Sequence, residues 1–284
     1  MVNIVHSFLM IGQSNMAGRG YIKEVTPIFD EQIMMLVNGR WQTMTEPINF
    51  DRPTSGISLA ASFAGAWRME HPDQQIGLIP CADGGSSLDE WAVGGALFEN
   101  AVFQARRAMR IGRLDGILWH QGENDSFGNR SAVYNDKLKI IITALRTELD
   151  IPEIPLIVGG LRDFLSTGRY GHFFTEHHLV NEKLQQLANT EPNTFFVTAS
   201  GLTANADGLH FDAASLRKFG IRYFQAYQDR KNITVPPDNE HERIAAIHRR
   251  SLTRTEKVAL LEISFGKGEI SLADLEHRLA ALNT

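Results

Sequence analysis

The sequence predicts an α/β protein, a parallel sheet with helices on both faces, followed by a helical C-terminal extension. Three observations lead to this. Short, almost continuous apolar runs alternate with longer segments of helical period. Polar, glycine-bearing segments follow several of those runs. Beyond Asp229 a proline-containing stretch gives way to a purely helical pattern.

Residues 4–11, 76–81, 116–120, 156–159 and 194–198 read as strands, because they are nearly all apolar, as strands covered on both faces must be. Residues 58–70, 97–111, 131–149 and 173–189 read as helices. Leu59, Phe63 and Trp67 recur at helical spacing in the first, and Tyr134, Leu138, Ile141 and Leu145 in the third. Strands alternating with helices in this way return parallel. Residues 1–229 are therefore expected to form one domain. Residues 230–240 hold Pro236 and Pro237 among polar neighbours and read as a linker.

Residues 241–284 form the extension, with helical patterns at 242–250, 255–265 and 271–282. Thr253 or Thr255 is placed to cap the second, and Ser271 with Asp274 makes a Ser-x-x-Asp start for the third. Val258, Leu261 and Phe265 make one apolar stripe, and Leu272, Leu275, Leu279 and Leu282 another. Short helices rarely stand alone, so these stripes predict packing or a homo-oligomer through the C-terminal helices.

Composition excludes several classes. The 284 residues carry a net charge of -5 with a pI near 6.1, so no nucleic-acid partner is expected. Arg249, Arg250, His241 and His248 read as solvated helix surface. No apolar run is long enough to span a bilayer, and the N-terminus lacks a basic leader before a long apolar core. The expectation is a cytoplasmic protein with no membrane partner. The single Cys81 rules out an internal disulfide and reads as inert packing. The adjacent His177 and His178 have no third ligand at useful spacing, so neither a metal nor another cofactor is expected.

In an open parallel sheet, ligands sit beyond the carboxyl ends of the strands. The segments there are Gly12-Gln13-Ser14-Asn15-Met16-Ala17-Gly18, Ala82-Asp83-Gly84-Gly85-Ser86-Ser87, His120-Gln121-Gly122-Glu123-Asn124-Asp125 and Asp207-Gly208-Leu209-His210. A serine hydroxyl needs an adjacent base to act as a nucleophile. Ser14, in a tight turn after a buried strand, is the candidate nucleophile, and His210 the candidate base. Asp207, three residues before His210, can orient the imidazole within one turn. Glu123 is a second acid that can contact His210 or shape the pocket. A developing oxyanion needs preorganised donors, for which the backbone N–H of Ser14, the backbone N–H of Gly85 and the side-chain amide of Gln121 are candidates. Gln13 and Asn15 are supporting candidates. Trp91 reads equally as loop packing or as a platform for a sugar ring.

These blocks resemble those of the SGNH-hydrolase superfamily, and more narrowly the sialate O-acetylesterase-related group that includes carbohydrate esterase family 6, the acetyl xylan esterases. Gly-Gln-Ser-Asn-Met at 12–16, the Cys-Ala-x-Gly-Gly-Ser block at 81–86, the Glu-Trp pair at 90–91, His-Gln-Gly-Glu at 120–123 and Asp-Gly-x-His at 207–210 carry the resemblance. The superfamily often supplies an asparagine in its third block; here the glutamine of His-Gln-Gly-Glu takes that place. The resemblance spans about residues 1–229. It implies a flavodoxin-like three-layer α/β/α sandwich and metal-free serine hydrolysis. It also implies an acetylated carbohydrate as substrate, with Ser14, His210 and Asp207 as the triad. Two alternatives stay open: hydrolysis of another acyl ester or thioester, and a catalytically silent carbohydrate-binding protein on the same fold.

Overall fold

The first apolar run becomes strand β1 (Val5–Gly12) in the computed structural model, which describes residues 4–282. A four-residue helix, α1 (Ser14–Ala17), follows at once. Next come β2 (Ile33–Val37) and β3 (Arg40–Thr43), an antiparallel pair joined at Asn38-Gly39. The strand pattern above does not include this hairpin. Asn-Gly is its turn signal, and both residues have positive φ, 51° and 73°. No β3 side chain is fully buried, so β3 lacks the apolar run that marks the interior strands.

The rest of the domain is α2 (Ala60–Glu70), β4 (Gln75–Pro80), α3 (Ala96–Ala108), β5 (Gly112–His120), α4 (Tyr134–Glu148), β6 (Leu156–Gly159), α5 (Phe164–Thr167), α6 (His177–Thr190), β7 (Thr194–Val197) and α7 (Ala213–Asp229). One sheet runs β3-β2-β4-β1-β5-β6-β7, parallel except at β3. Alternate residues of β1 face opposite layers. Phe8 and Met10 join the core with Phe63 of α2 and Phe219 of α7, whereas Leu9 and Ile11 join Phe98 of α3, Leu145 of α4 and Leu184 of α6. Two buried cores on the two faces of one sheet make the three-layer α/β/α sandwich.

The extension comprises α8 (Glu240–Arg249), α9 (Arg254–Gly266) and α10 (Leu272–Ala281). The stretch before it is docked onto the sheet. Ile233 bridges to Val197, its N–H donating to Phe196 O at 2.8 Å while Thr198 N–H donates to its carbonyl at 2.7 Å. Helix α8 lies on α2 and α7, with Ile244 and Ile247 against the core. Glu240 forms a buried ion pair with Arg222 of α7. Thr253, not Thr255, caps α9 in a capping box with Glu256, and Ser271 with Asp274 does the same for α10.

One surface expectation is corrected. Arg250 is half-buried and donates to Glu256 at 2.7 Å and to Phe29 O at 2.9 Å, because α9 folds back over the 26–33 loop. His248 is exposed, as its sequence pattern predicts, and partial desolvation beside the same loop lowers its pKa. Cys81 is enclosed, and burial pushes its thiol up to about 12. Among the described residues, no helix is long and apolar enough to cross a membrane.

Candidate active site

The polar loops converge at the carboxyl edge of β1, β4 and β5. Gly12 makes the exit from β1 possible. At φ +127° a Cβ there would stand 2.1 Å from His120 O on the neighbouring strand, so only glycine fits. Gln13 N–H donates to His120 O at 2.9 Å, and Ser14 then opens α1. Its N–H, in the first turn, has no intrahelical acceptor.

His210 arrives from the far end of the chain on the loop between β7 and α7. That loop is closed by Asn205 N–H on His210 O at 2.7 Å and Gly208 N–H on Asn205 O at 3.0 Å. Asp212 then caps α7 through Ser215 N–H. Asp207 Oδ1 accepts from the N–H groups of Leu209 and His210 at 2.9 and 3.0 Å, and its Oδ2 lies 2.8 Å from His210 Nδ1. His210 Nε2 lies 3.0 Å from Ser14 Oγ. Burial pushes the Asp207 carboxyl up, but these donors outweigh it and hold it below the usual carboxylate range. An ionised carboxylate only accepts, so Nδ1 carries the proton and Nε2 is free to accept from the serine hydroxyl.

Glu123 does not touch His210. It is buried, and its Oε1 accepts from Asn15 Nδ2 at 2.6 Å and lies 3.5 Å from His120 Nε2. Burial raises this carboxyl, yet His120 and the Asn15 amide outweigh it and the net shift is downward. Asn15 Oδ1 in turn accepts from Phe211 N–H at 3.0 Å. Glu123 and Asn15 thus strap the serine loop to the residue after the histidine. Gln13 Oε1 accepts from Gly122 and Asn124 N–H at 3.2 and 3.4 Å, pinning the third loop to the first.

Two expectations change here. Gln121 is fully buried, and its Nε2 donates to Ser86 O at 3.1 Å and Asp125 Oδ2 at 2.5 Å. Its donors are spent holding loops together, so it offers none to the cleft. Asn124 lines the cleft instead, with Nδ2 donating to Gly85 O at 2.6 Å. Trp91 is fully buried, its ring against Trp119 and its Nε1 on Ser86 Oγ at 2.9 Å, so it is packing and not a sugar platform. Gly85 takes φ +81°, nothing stands within 4 Å of where its Cβ would be, and its N–H has no acceptor among the described residues.

The cleft holds about 300 Å³. Phe174 and Leu209 give it an apolar wall, and Arg19 and Arg52 lie opposite in charge to their partners Asp51 and Asp83. Leu209 is the variable position of the 207–210 block, whereas no motif marks Phe174, Arg19 or Arg52. A larger cavity of about 480 Å³ between α2, α8 and the 26–33 loop shares no lining residue with the cleft. No group of three or more His, Cys, Asp or Glu side chains is placed to hold a metal among the described residues.

The family model for sialic acid-specific acetylesterases, a group of carbohydrate esterases, matches residues 4–229. A probable carbohydrate esterase of Arabidopsis thaliana is 30% identical over 244 residues, which is 78% of this chain and 89% of that protein. An X-ray structure of an Arabidopsis thaliana protein superposes with a TM-score of 0.70 at 27% identity, covering 79% of this chain and 98% of the other. NanS shares the fold with a TM-score of 0.66 at 16% identity, over 80% of this chain and 98% of its own.

Proposed function

The chain belongs to the sialic acid-specific acetylesterase family of carbohydrate esterases, and we propose that it removes O-acetyl groups from a carbohydrate through an acyl-enzyme on Ser14. The observation that carries this reading is the unbroken line from hydroxyl to imidazole to carboxylate, 3.0 and 2.8 Å long at its two links.

Ser14 Oγ attacks the acetyl carbonyl as His210 Nε2 takes its proton. Asp207 stabilises the resulting imidazolium. The tetrahedral oxyanion is received by the N–H groups of Ser14 and Gly85, with Asn124 at the same wall of the cleft. His210 then returns the proton to the departing sugar oxygen, and a water activated by the same imidazole releases acetate. A cleft of about 300 Å³ walled by Phe174 and Leu209 suits a short acyl group.

The test is acetate release from a panel of acetylated xylo-oligosaccharides, acetylated sialic acids and simple esters, in the native protein and in Ser14→Ala. We expect turnover of at least one acetylated sugar, steep loss beyond acetyl, and a drop of more than a thousandfold in the variant. Folded Ser14→Ala that retains turnover overturns the assignment. Native protein that neither turns over any ester nor reacts with a fluorophosphonate probe favours a silent sugar-binding role.

A further inference from the structure

We propose that Arg52 is a positioning residue that aims the Gly85 N–H at the oxyanion, by holding the carbonyl of the same peptide unit. This rests on the acyl-enzyme reading above.

The peptide between Gly84 and Gly85 carries the Gly84 carbonyl on one side and the Gly85 N–H on the other. It is trans, and in a trans peptide the two lie in one rigid plane and point in opposite directions. Arg52 Nη2 donates to Gly84 O at 2.9 Å. Fixing that oxygen fixes the direction in which the N–H leaves the opposite edge. A cationic donor on the carbonyl also polarises the amide and makes its N–H a stronger donor.

Arg52 lines the cleft, which invites the simpler idea that it grips an anionic substrate. Its hydrogen bonds argue otherwise. Nη1 donates to Asp51 O at 2.8 Å and Asp83 Oδ1 at 3.1 Å, and Nη2 to Asp83 Oδ2 at 3.2 Å and Gly84 O at 2.9 Å. All four terminal N–H groups are therefore occupied within the protein. Substrate capture would have to break the fork on Asp83.

The need for such a clamp follows from the residues themselves. Gly85 requires glycine for its φ of +81°. A Gly-Gly pair is also the least restrained of dipeptides, so stiffness has to come from outside. Arg52 supplies it at one carbonyl. Asn124 supplies it at the next, through Gly85 O at 2.6 Å, and Asp51 holds Gly84 N–H at 2.8 Å while itself bound by Arg19 at 2.6 Å.

Removing a whole oxyanion donor costs roughly a hundredfold to a thousandfold. Here the donor remains and only its aim is lost, so a smaller effect is expected. Arg52→Met should lower kcat on p-nitrophenyl acetate by about tenfold, with KM within about twofold. That ester is neutral and carries no anionic group for a guanidinium to pair with. The acid limb of the kcat–pH profile should not move, because the surroundings of His210 are intact. Arg52→Lys should recover part of the loss, and added methylguanidinium should do so in Arg52→Ala. Should the Met variant fail to fold, the Lys variant and Asp83→Asn, which loosens the fork, are read the same way.

Unchanged kcat in folded Arg52 variants overturns the proposal. So does a raised KM on acetylated sugars with unchanged kcat on p-nitrophenyl acetate, which would make Arg52 a substrate ligand. Turnover surviving in Ser14→Ala is a separate failure, of the acyl-enzyme reading, and is measured with Arg52 in place.

Discussion

Replacing Asp207 by asparagine separates the two acids near the cleft. Asp207 makes three contacts, two to backbone N–H groups and one to His210 Nδ1. In Asp207→Asn the side-chain carbonyl keeps both backbone donors, so the loop should hold. The NH₂ then replaces Oδ2 and points at Nδ1. Nδ1 must become the acceptor, which moves the ring proton to Nε2, facing the Ser14 hydroxyl it should deprotonate. In the serine proteases the same inversion costs about 10⁴ in kcat. Here the Asp207 side chain is 36% exposed, so its support of the imidazolium is partly screened by water. The tautomer penalty is undiminished. The expected fall in kcat is about 10² to 10⁴, or roughly 3–5 kcal/mol of barrier, with KM and melting temperature little changed. The assay is initial-rate acetate release at saturating p-nitrophenyl acetate, with a thermal melt as the folding control. A kcat within a few-fold of native, together with collapse in Glu123→Gln, would refute the reasoning and make Glu123 the orienting acid.

Other expectations follow from the same contacts. Glu123→Leu leaves the Asn15 amide without its buried acceptor, so urea unfolding should show a loss of about 1–3 kcal/mol along with reduced kcat. Glu240→Leu strands the buried Arg222 guanidinium and should cost about 3–5 kcal/mol in the same measurement. Cutting the chain before Glu240 should do at least as much harm, whereas cutting after Gly266 should spare both fold and activity. Asp51, Glu123 and Asp207 are all held below their ordinary carboxylate values. Each therefore adds stability above an unfolded pKa near 4, and that stability is lost as pH falls through the lower folded value. Asp125, which burial raises, works in the opposite sense. Urea midpoints should fall below about pH 4, and Asp51→Asn should make that fall shallower.

Strands β1 and β4 to β7 are readable because both faces of each are covered, and this leaves near-continuous apolar runs. Strand β3, half open to solvent, has no such run; its partner β2 is apolar throughout, Ile33–Val37, and stands outside the strand–helix alternation because a hairpin joins it to β3 instead of to a helix. The tail's caps could be read from Thr253 and Ser271, since capping is local. Its docking could not, because the Arg222–Glu240 pair and the seat of Ile233 on β7 depend on tertiary neighbours. In the site, Ser14, His210 and Asp207 are marked by residue type and spacing. Gln121 departs from the expectation because the side-chain direction of a residue just past a strand decides whether it faces the cleft or the core. Arg52 acts through another residue's carbonyl, a role that no spacing encodes.

Ser14 and His210 stand 196 positions apart, and the strand that carries the serine is the middle one of the sheet. Its neighbours β4 and β5 lie far downstream. During synthesis β1 leaves the ribosome as an apolar segment with no edge to join, and waits for both. Long-range pairing of this kind folds slowly and exposes sticky intermediates. Recovery of esterase turnover after dilution from denaturant should therefore lag behind the return of helical signal, because the proposed mechanism needs His210 from the last loop.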